Sequence, residues 1–410
     1  MNSSNTAALP VNNLYDDCLI SSCLKKLFKN HTKSKELPGY IISNEVAGVK
    51  KELEKLNAGI LELSYDYLLA MEQSIPGTEF RYVVCHKEKA PVLFAYFQLY
   101  TVTSKNFNLQ NNKTFIKSIV RFFLDLKKVK AVISGNALRN ETPCYCYDSS
   151  ILNDTEATEL IASAAEKIAS DERATAVVLR DIPVSTHNDK WLAGKGYHAP
   201  FTDSAMTLAI DPEWGTLAGY VSALTRKYKT RANKILALRD KLTIEQLGQE
   251  TVAASQRQMN RLYKNVVDHQ SFALTSLSEE HFTKLKSLYK NDFEVFGFYL
   301  GRKLLAFYTA FVTPDAYEIY YAGFDYEHND EYQLYFNILF SGLERAILLN
   351  KKELKLGRTS FDSKASMGAK PEEIKYFFKT TNVPAAAINW FVNYFAAMED
   401  GKWKLRNPLK

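Results

Sequence analysis

Apolar residues crowd into three stretches between positions 293 and 325. FEVFGFYL (293–300) and LLAFYTAFVT (304–313) are rich in aromatic and β-branched residues and are separated by Gly301-Arg302-Lys303, a hairpin signature. Pro314-Asp315-Ala316 turns the chain into YEIYYAGFD (317–325), so the pattern predicts three antiparallel strands in sequence. From Glu331 to Asn350 the period becomes helical, with Tyr332, Tyr335 or Phe336, Leu339, Leu343, Ala346 and Ile347 on one stripe and no proline inside. ELKLG (353–357) reads as a further strand, parallel or edge-joined, because a whole helix separates it from its predecessor.

The first half repeats this theme less regularly. Residues 14–29 predict a helical leader, and Val46 to Leu56 a short surface helix. FRYVVC (80–85) and PVLFAYFQLYTVT (91–103) pair as a hairpin, FIKSIVRFFLDLKKV (115–129) has helical spacing, and AVISG (131–135) and CYCYD (144–148) read as strands. TEATELIASAAEKIASDE (155–172) is an Ala- and Glu-rich helix with Thr155 as its cap, followed by strands AVVLRD (176–181) and AMTLAI (205–210). Turn chemistry at Asp211–Gly215 places a boundary there, giving a leader (1–57), a first lobe (58–212), a second lobe (213–380) and a C-terminal tail (381–410). The architecture reads as a duplication, although self-similarity between the halves is weak at the level of residues.

With 410 residues and 46% hydrophobic content, the chain can bury two ordinary cores. No apolar run approaches the ~20 residues of a membrane span, and the polar start MNSSNTAALPVNN lacks the pattern of a secretory signal. The five cysteines (Cys18, Cys23, Cys85, Cys144, Cys146) are odd in number and scattered, which points to reduced thiols and a cytoplasmic setting. Cys144 and Cys146 share a strand face, but two thiolates are too few for zinc and no metal site is expected.

The net charge of +6 is concentrated at 226–241, where Arg226, Lys227, Lys229, Arg231, Lys234, Arg239 and Lys241 stand against Asp240. A helical stripe of Tyr220, Leu224, Tyr228, Ala232 and Ile235 leaves Lys227, Arg231 and Lys234 on an adjoining face. That face fits either a solvated surface or a cationic seat for a phosphate-rich ligand. In LGRTSFDSKASMGAKP (356–371), Arg358 and Lys364 sit among hydroxyls and are flanked by Gly357 and Gly368, a pattern shared by anion-binding loops and surface turns.

The order strand, strand, strand, helix, strand resembles the core of the GNAT acyltransferase superfamily, and more narrowly its two-lobed branch related to Fem-type peptidoglycan aminoacyltransferases. The resemblance is carried by YVSALTRKYKTRANKI (220–235), Leu262-Tyr263, YYAGFDYEHNDEYQLY (320–335), the 356–371 segment and FFK (377–379). It implies an α/β (α+β) fold of two tandem GNAT-like lobes, each a mixed, mostly antiparallel sheet flanked by helices. It also implies transfer of an acyl group from a thioester donor, acyl-CoA or acyl carrier protein, to an amine of a small molecule or amino lipid. No tightly bound cofactor and no DNA partner follow from it; aminoacyl-tRNA is the donor in the alternative, Fem-type reading, and a non-catalytic binding protein is a third. In such chemistry the protein positions two substrates and stabilises an oxyanion while a base takes the amine proton.

On that basis Asp325, at a strand end, either handles the amine or caps the following helix, and Tyr321 and Tyr326 either donate to an oxyanion or thiolate or simply pack. One departure is plain: where the superfamily carries a Gly-rich phosphate loop, this chain has the acidic, glycine-free DYEHNDEY (325–332). The donor then sits on Lys227, Arg231, Arg358, Thr359, Lys364 and Lys370, or binds in the first lobe, or is not coenzyme A at all. The aromatic tail at 384–398, followed by basic GKWKLRNPLK, either docks on its own domain or makes peripheral membrane contact.

Overall fold

The computed structural model describes residues 39–57, 59–106, 129–139, 142–182, 186–270, 272–380 and 404–410. The expected leader helix, the tail at 384–398 and all of the 115–129 segment except Val129 lie outside these residues.

The strands are β1 (Gly39–Ser43), β2 (Glu79–Lys87), β3 (Ala90–Val102), β4 (Val129–Ser134), β5 (Tyr145–Tyr147), β6 (Ala176–Leu179), β7 (His198–Ala209), β8 (Thr243–Gln246), β9 (Phe293–Leu300), β10 (Lys303–Val312), β11 (Ala316–Phe324), β12 (Glu353–Lys355) and β13 (Lys370–Thr380). All join one mixed sheet in the order β1-β2-β3-β4-β6-β13-β7-β12-β11-β10-β9-β8, with β5 paired to β3. The order is symmetrical about the β13–β7 pair. In the first half β4 and β6 run parallel and β6 meets β13 antiparallel; in the second, β11 and β12 run parallel and β12 meets β7 antiparallel. Each half therefore lends its last strand to the other. A 3₁₀ turn occupies Pro212–Trp214 at the boundary read from sequence, but the sheet continues across it: β7 finds both of its partners in the second half and β13 both of its partners in the first. Residues 39–57, assigned to the leader, contribute an edge strand paired with β2.

The helices are α1 (Lys50–Leu56), α2 (Tyr65–Ser74), α3 (Asp154–Asp171), α4 (Thr186–Gly194), α5 (Leu217–Ala223), α6 (Arg226–Arg239), α7 (Gln249–Asp268), α8 (His281–Tyr289), α9 (Tyr326–Tyr332), α10 (Leu334–Leu348) and α11 (Phe361–Ala365). Helix α3 covers β2, β3 and β6 through Ala157, Ile161, Ala165 and Ile168. Helices α5, α6 and α10 cover the second half on one face, where Tyr220, Ile235, Ile338 and Leu343 share a core with Tyr308 and Tyr317. On the other face α2, α7 and α8 bury Leu68, Leu262 and Phe282 with Phe293 and Phe307.

Local chemistry corrects several expected boundaries. Asn153, not Thr155, caps α3, because its carboxamide accepts from Glu156 N–H while the Glu156 carboxylate accepts from Asn153 N–H, a complete capping box. The single helix expected over 220–235 breaks at Leu224-Thr225, where Thr225 N–H donates to Pro408 O at 2.8 Å and Leu224 bridges Leu409. The helix expected over 331–350 is two helices, separated by Gln333 at φ 48°. The acidic turn is thus mostly α9.

Candidate functional site

Strands β11 and β12 pair only over Ala316–Glu318 and Glu353–Lys355. Beyond Lys355 the chain follows β7 instead, with Leu356 N–H donating to Met206 O at 2.8 Å and Met206 N–H to Gly357 O at 3.0 Å. Strand β11 runs on to Phe324 with β10 on one side and, among the described residues, no strand on the other, so the sheet opens along that edge. Three consecutive residues there, Tyr320, Tyr321 and Ala322, are half-buried in a strand otherwise largely buried. The ladder to β10 uses Asp325 N–H, which donates to Leu305 O at 2.8 Å; by antiparallel alternation the peptide groups of Ala322 and Phe324 face the opening.

A β-bulge sits at this point. The register of β10 with β11 slips between Tyr308 and Ala310, and the Thr309 hydroxyl bridges the slip, donating to Tyr321 O at 3.3 Å and accepting from Tyr321 N–H at 3.1 Å. The extra residue places Tyr320 and Tyr321 on one face, their rings 4.5 Å apart, against Tyr263 and Phe282. Gly323 lets α7 press on the strand, because a Cβ at 323 would lie 2.5 Å from Tyr263 N and 2.6 Å from Leu262 C. Asn265, one turn along α7, donates to Phe324 O at 3.4 Å. Gly323→Ala is expected to cost about 1–3 kcal/mol through overpacking against backbone that cannot swing aside, read by urea unfolding; an unchanged midpoint would mean that α7 does not bear on β11.

The Arg358 guanidinium lies within electrostatic range of Tyr321. Burial, first, and neighbouring Tyr263 push the Tyr321 phenol well above its ordinary pKa, while the Arg358 guanidinium opposes the shift. Arg358 donates to Tyr376 Oη at 3.4 Å, and Arg180 from the first half lies over the same Tyr376 ring, 5.5 Å from its centroid. Tyr100 of β3, pushed up to about 12 mainly by burial, acts on Tyr321 in turn. Across the opening Tyr335, in the first turn of α10, is held near 12 by burial against the opposing hydrogen bond of Ser360. The arrangement joins a free strand edge, phenols and guanidinium charge.

The other residues singled out by sequence lie elsewhere. Asp325 caps α9, accepting from Glu327 N–H at 3.1 Å, and meets Lys303 at 3.2 Å and His328 at 3.1 Å. Burial alone would raise its pKa, but Lys303, the capping N–H and His328 hold it below the usual carboxylate value. So committed, it is a cap rather than a base. Tyr326 is exposed and stacks on His269 at 3.9 Å. Lys227 and Arg231 are exposed on α6, with Arg231 4.4 Å over the Phe336 ring at the start of α10, so the basic helix flanks the mouth. Thr359 and Lys370 are exposed, Lys370 opening β13 opposite Thr207. Lys364 is buried and donates to Gly357 O at 3.1 Å; it is no surface anion ligand.

The corresponding parting in the first half is filled. Beyond the parallel pairing of β4 and β6, Ser134 Oγ donates to Arg180 O and accepts from Arg180 N–H, both at 2.8 Å, closing the strands with a side chain. Arg180 reaches Arg139 O at 2.8 Å and Asp181 at 2.9 Å. The three described cysteines, Cys85, Cys144 and Cys146, are buried and free, with thiols raised by burial. Tyr320, Tyr100, Arg180 and Tyr376 are not singled out as site residues by the sequence, Tyr263 enters there only with Leu262 in the resemblance, and the bulge at Tyr320-Tyr321 depends on Thr309 of another strand.

No protein-family model matches the chain, and no curated protein sequence matches it. Among solved structures it is similar to FemX, at 11% identity with a TM-score of 0.48 over 85% of this chain and 99% of that one. It is also similar to a tandem GNAT protein from the clavulanic acid biosynthesis pathway, at 10% identity and a TM-score of 0.47 over 84% of this chain and 99% of that one. A third likeness is to the C-terminal domain of a putative lysylphosphatidylglycerol synthetase from Agrobacterium fabrum, at 12% identity and a TM-score of 0.46 over 87% of this chain and 99% of that one.

Proposed function

We propose that the chain is an N-acyltransferase that moves an acyl group from a thioester donor to an amine of a small molecule or amino lipid. The observation that carries the reading is the edge of β11 between Tyr320 and Phe324, left without a strand partner among the described residues by the departure of β12. An amide-bearing arm such as pantetheine can lie along it as an added strand, hydrogen-bonded to the peptide groups of Ala322 and Phe324. Its thioester carbonyl would then sit beside the bulge at Tyr321, within the field of the Arg358 guanidinium. The amine nitrogen bonds to the carbonyl carbon, the carbon–sulfur bond breaks, and the proton lost by the amine ends on the released thiol.

The second half is the donor lobe in this reading, since Ser134 fills the equivalent parting in the first. A second reading, transfer from an aminoacyl-tRNA, is favoured by one observation: Arg226, Lys227, Arg231 and Lys234 are exposed along α6 at the mouth, where acidic α9 replaces a phosphate loop. Thermal shift with acyl-CoA, acylated carrier protein and charged tRNA separates the readings, since a donor at 100 times its Kd stabilises by about 2.7 kcal/mol. No shift with any of them would sink both. Arg358→Ala is expected to weaken binding of the responding donor roughly 10-fold or more, as loss of a charge-assisted contact does, with little loss of stability. Unchanged donor affinity would remove Arg358 from the site.

A further inference from the structure

The bulge residue Tyr320 is tied to a buried chain of polar groups that the donor site does not use. His281, at the start of α8, is fully buried, with Nδ1 2.8 Å from Ser74 Oγ and Nε2 3.4 Å from Tyr320 Oη. Ser74, at the end of α2, lies 2.6 Å from Ala70 O. The proton positions follow from what each group can do. Ala70 O only accepts, so the serine hydroxyl donates to it and must accept from His281 Nδ1–H. Burial lowers the His281 pKa to about 3, leaving the ring neutral, so Nε2 carries a lone pair. Tyr320 therefore donates its only proton to Nε2.

The consequence lies on the other side of the phenol. Tyr320 is half-buried at the opened strand, beside Tyr321 and in the field of Tyr67, Arg139 and Tyr263. With its proton committed to His281, its oxygen can offer only lone pairs to any further partner. We propose that Tyr320 is the acceptor-binding residue of the transferase, receiving a hydrogen bond from the N–H of the incoming amine, with His281 and Ser74 as positioning residues that fix its polarity. This inference rests on the transferase reading and adds which substrate group meets the bulge. Such an arrangement selects an N–H donor over an ether or ester oxygen, which would meet an unpaired lone pair. It orients the amine without itself taking the proton.

Two measurements on the full chain test this. In ¹⁵N-histidine NMR, His281 is expected as the neutral Nδ1–H tautomer at pH 7, and Tyr320→Phe is expected to move its Nε2 resonance downfield toward an unbonded value while the fold persists. An Nε2–H tautomer, an imidazolium, or no change in Tyr320→Phe overturns the chain of proton positions. In steady-state transfer from the donor found by thermal shift to a panel of primary amines, Tyr320→Phe is expected to raise KM for the amine at least tenfold. The rise in amine KM is expected to exceed any change in donor KM, and His281→Phe shows the same split in weaker form. An active wild type with unchanged amine KM in Tyr320→Phe overturns the acceptor role alone. A wild type that transfers to none of the amines overturns the transferase reading and the role with it, while the NMR result still reads the hydrogen bonds.

Discussion

Arg139→Ala is expected to destabilise the protein by about 3–5 kcal/mol, the cost of leaving buried charge without its partner. Arg139 follows β4 in the first half and is 8% exposed. Its guanidinium reaches Glu318 of β11 at 3.0 Å and Glu62 at 3.2 Å, and lies 3.6 Å over the Phe311 ring of β10. Burial works against its charge, and the charge and hydrogen bonds of Glu318 outweigh that cost, so its pKa is raised. Tyr289 adds a hydrogen bond to Glu62 at 3.0 Å. Truncation strands two partly buried carboxylates and leaves a hole beside Phe311. Urea unfolding measures the loss, and Arg139→Met combined with Glu318→Gln should restore much of it, because it removes the charge together with its partner. A loss below about 1 kcal/mol in the single variant would show that the pair contributes no more than an exposed salt bridge.

That contact also shows where sequence reading reaches its limit. The strands β9, β10 and β11 and the helical stripe of α10 were legible because short-range patterns specify them: aromatic density bounded by turns, then a change of period. The partnership of Arg139 with Glu318 spans 179 residues and leaves no local trace. Strand β13 was missed as a strand for a related reason. Its start, KPEE, is polar and contains a proline, which is tolerated because Lys370–Tyr376 pairs with β7 and only Phe377–Thr380 also pairs with β6. Helix breaks at Gln333 and Thr225 escaped because one depends on a left-handed residue and the other on Pro408, far along the chain. The candidate site was half legible. Tyr321 and Arg358, singled out separately, are coupled only through the Arg358 charge acting on the Tyr321 phenol, whereas Asp325 looked equally like a base and a cap until Lys303 and His328 were found beside it. His281 offered no sequence signal, since Ser74 lies 207 residues away and Tyr320 39.

Lys364→Met is expected to stabilise the protein, by an amount that depends on pH. Lys364 is 2% exposed, its hydrogen bond among the described residues is to Gly357 O, and burial lowers its pKa from 10.5 to about 7. Between about pH 7 and 10.5 the unfolded chain therefore holds a proton that the folded chain has released, and stability attributable to this residue rises as pH rises through that window. Below the window both states are charged and the full cost of burying the ammonium is present, at most about 5 kcal/mol for a shift of this size. Methionine has no charge to bury, fills similar volume, and leaves Gly357 O still accepting from Met206 N–H at 3.0 Å. The variant should exceed the wild type most at pH 6 and by progressively less toward pH 10.5, once about 1 kcal/mol for the lost hydrogen bond is set against it. A difference that does not change with pH would show that Lys364 titrates as it does in water. The same variant decides the part of Lys364 in donor binding: a side chain so enclosed, turned onto Gly357 O, should leave the donor-induced thermal shift intact in Lys364→Met, in contrast to Arg358→Ala, and loss of that shift in both would place the buried ammonium in contact with the donor.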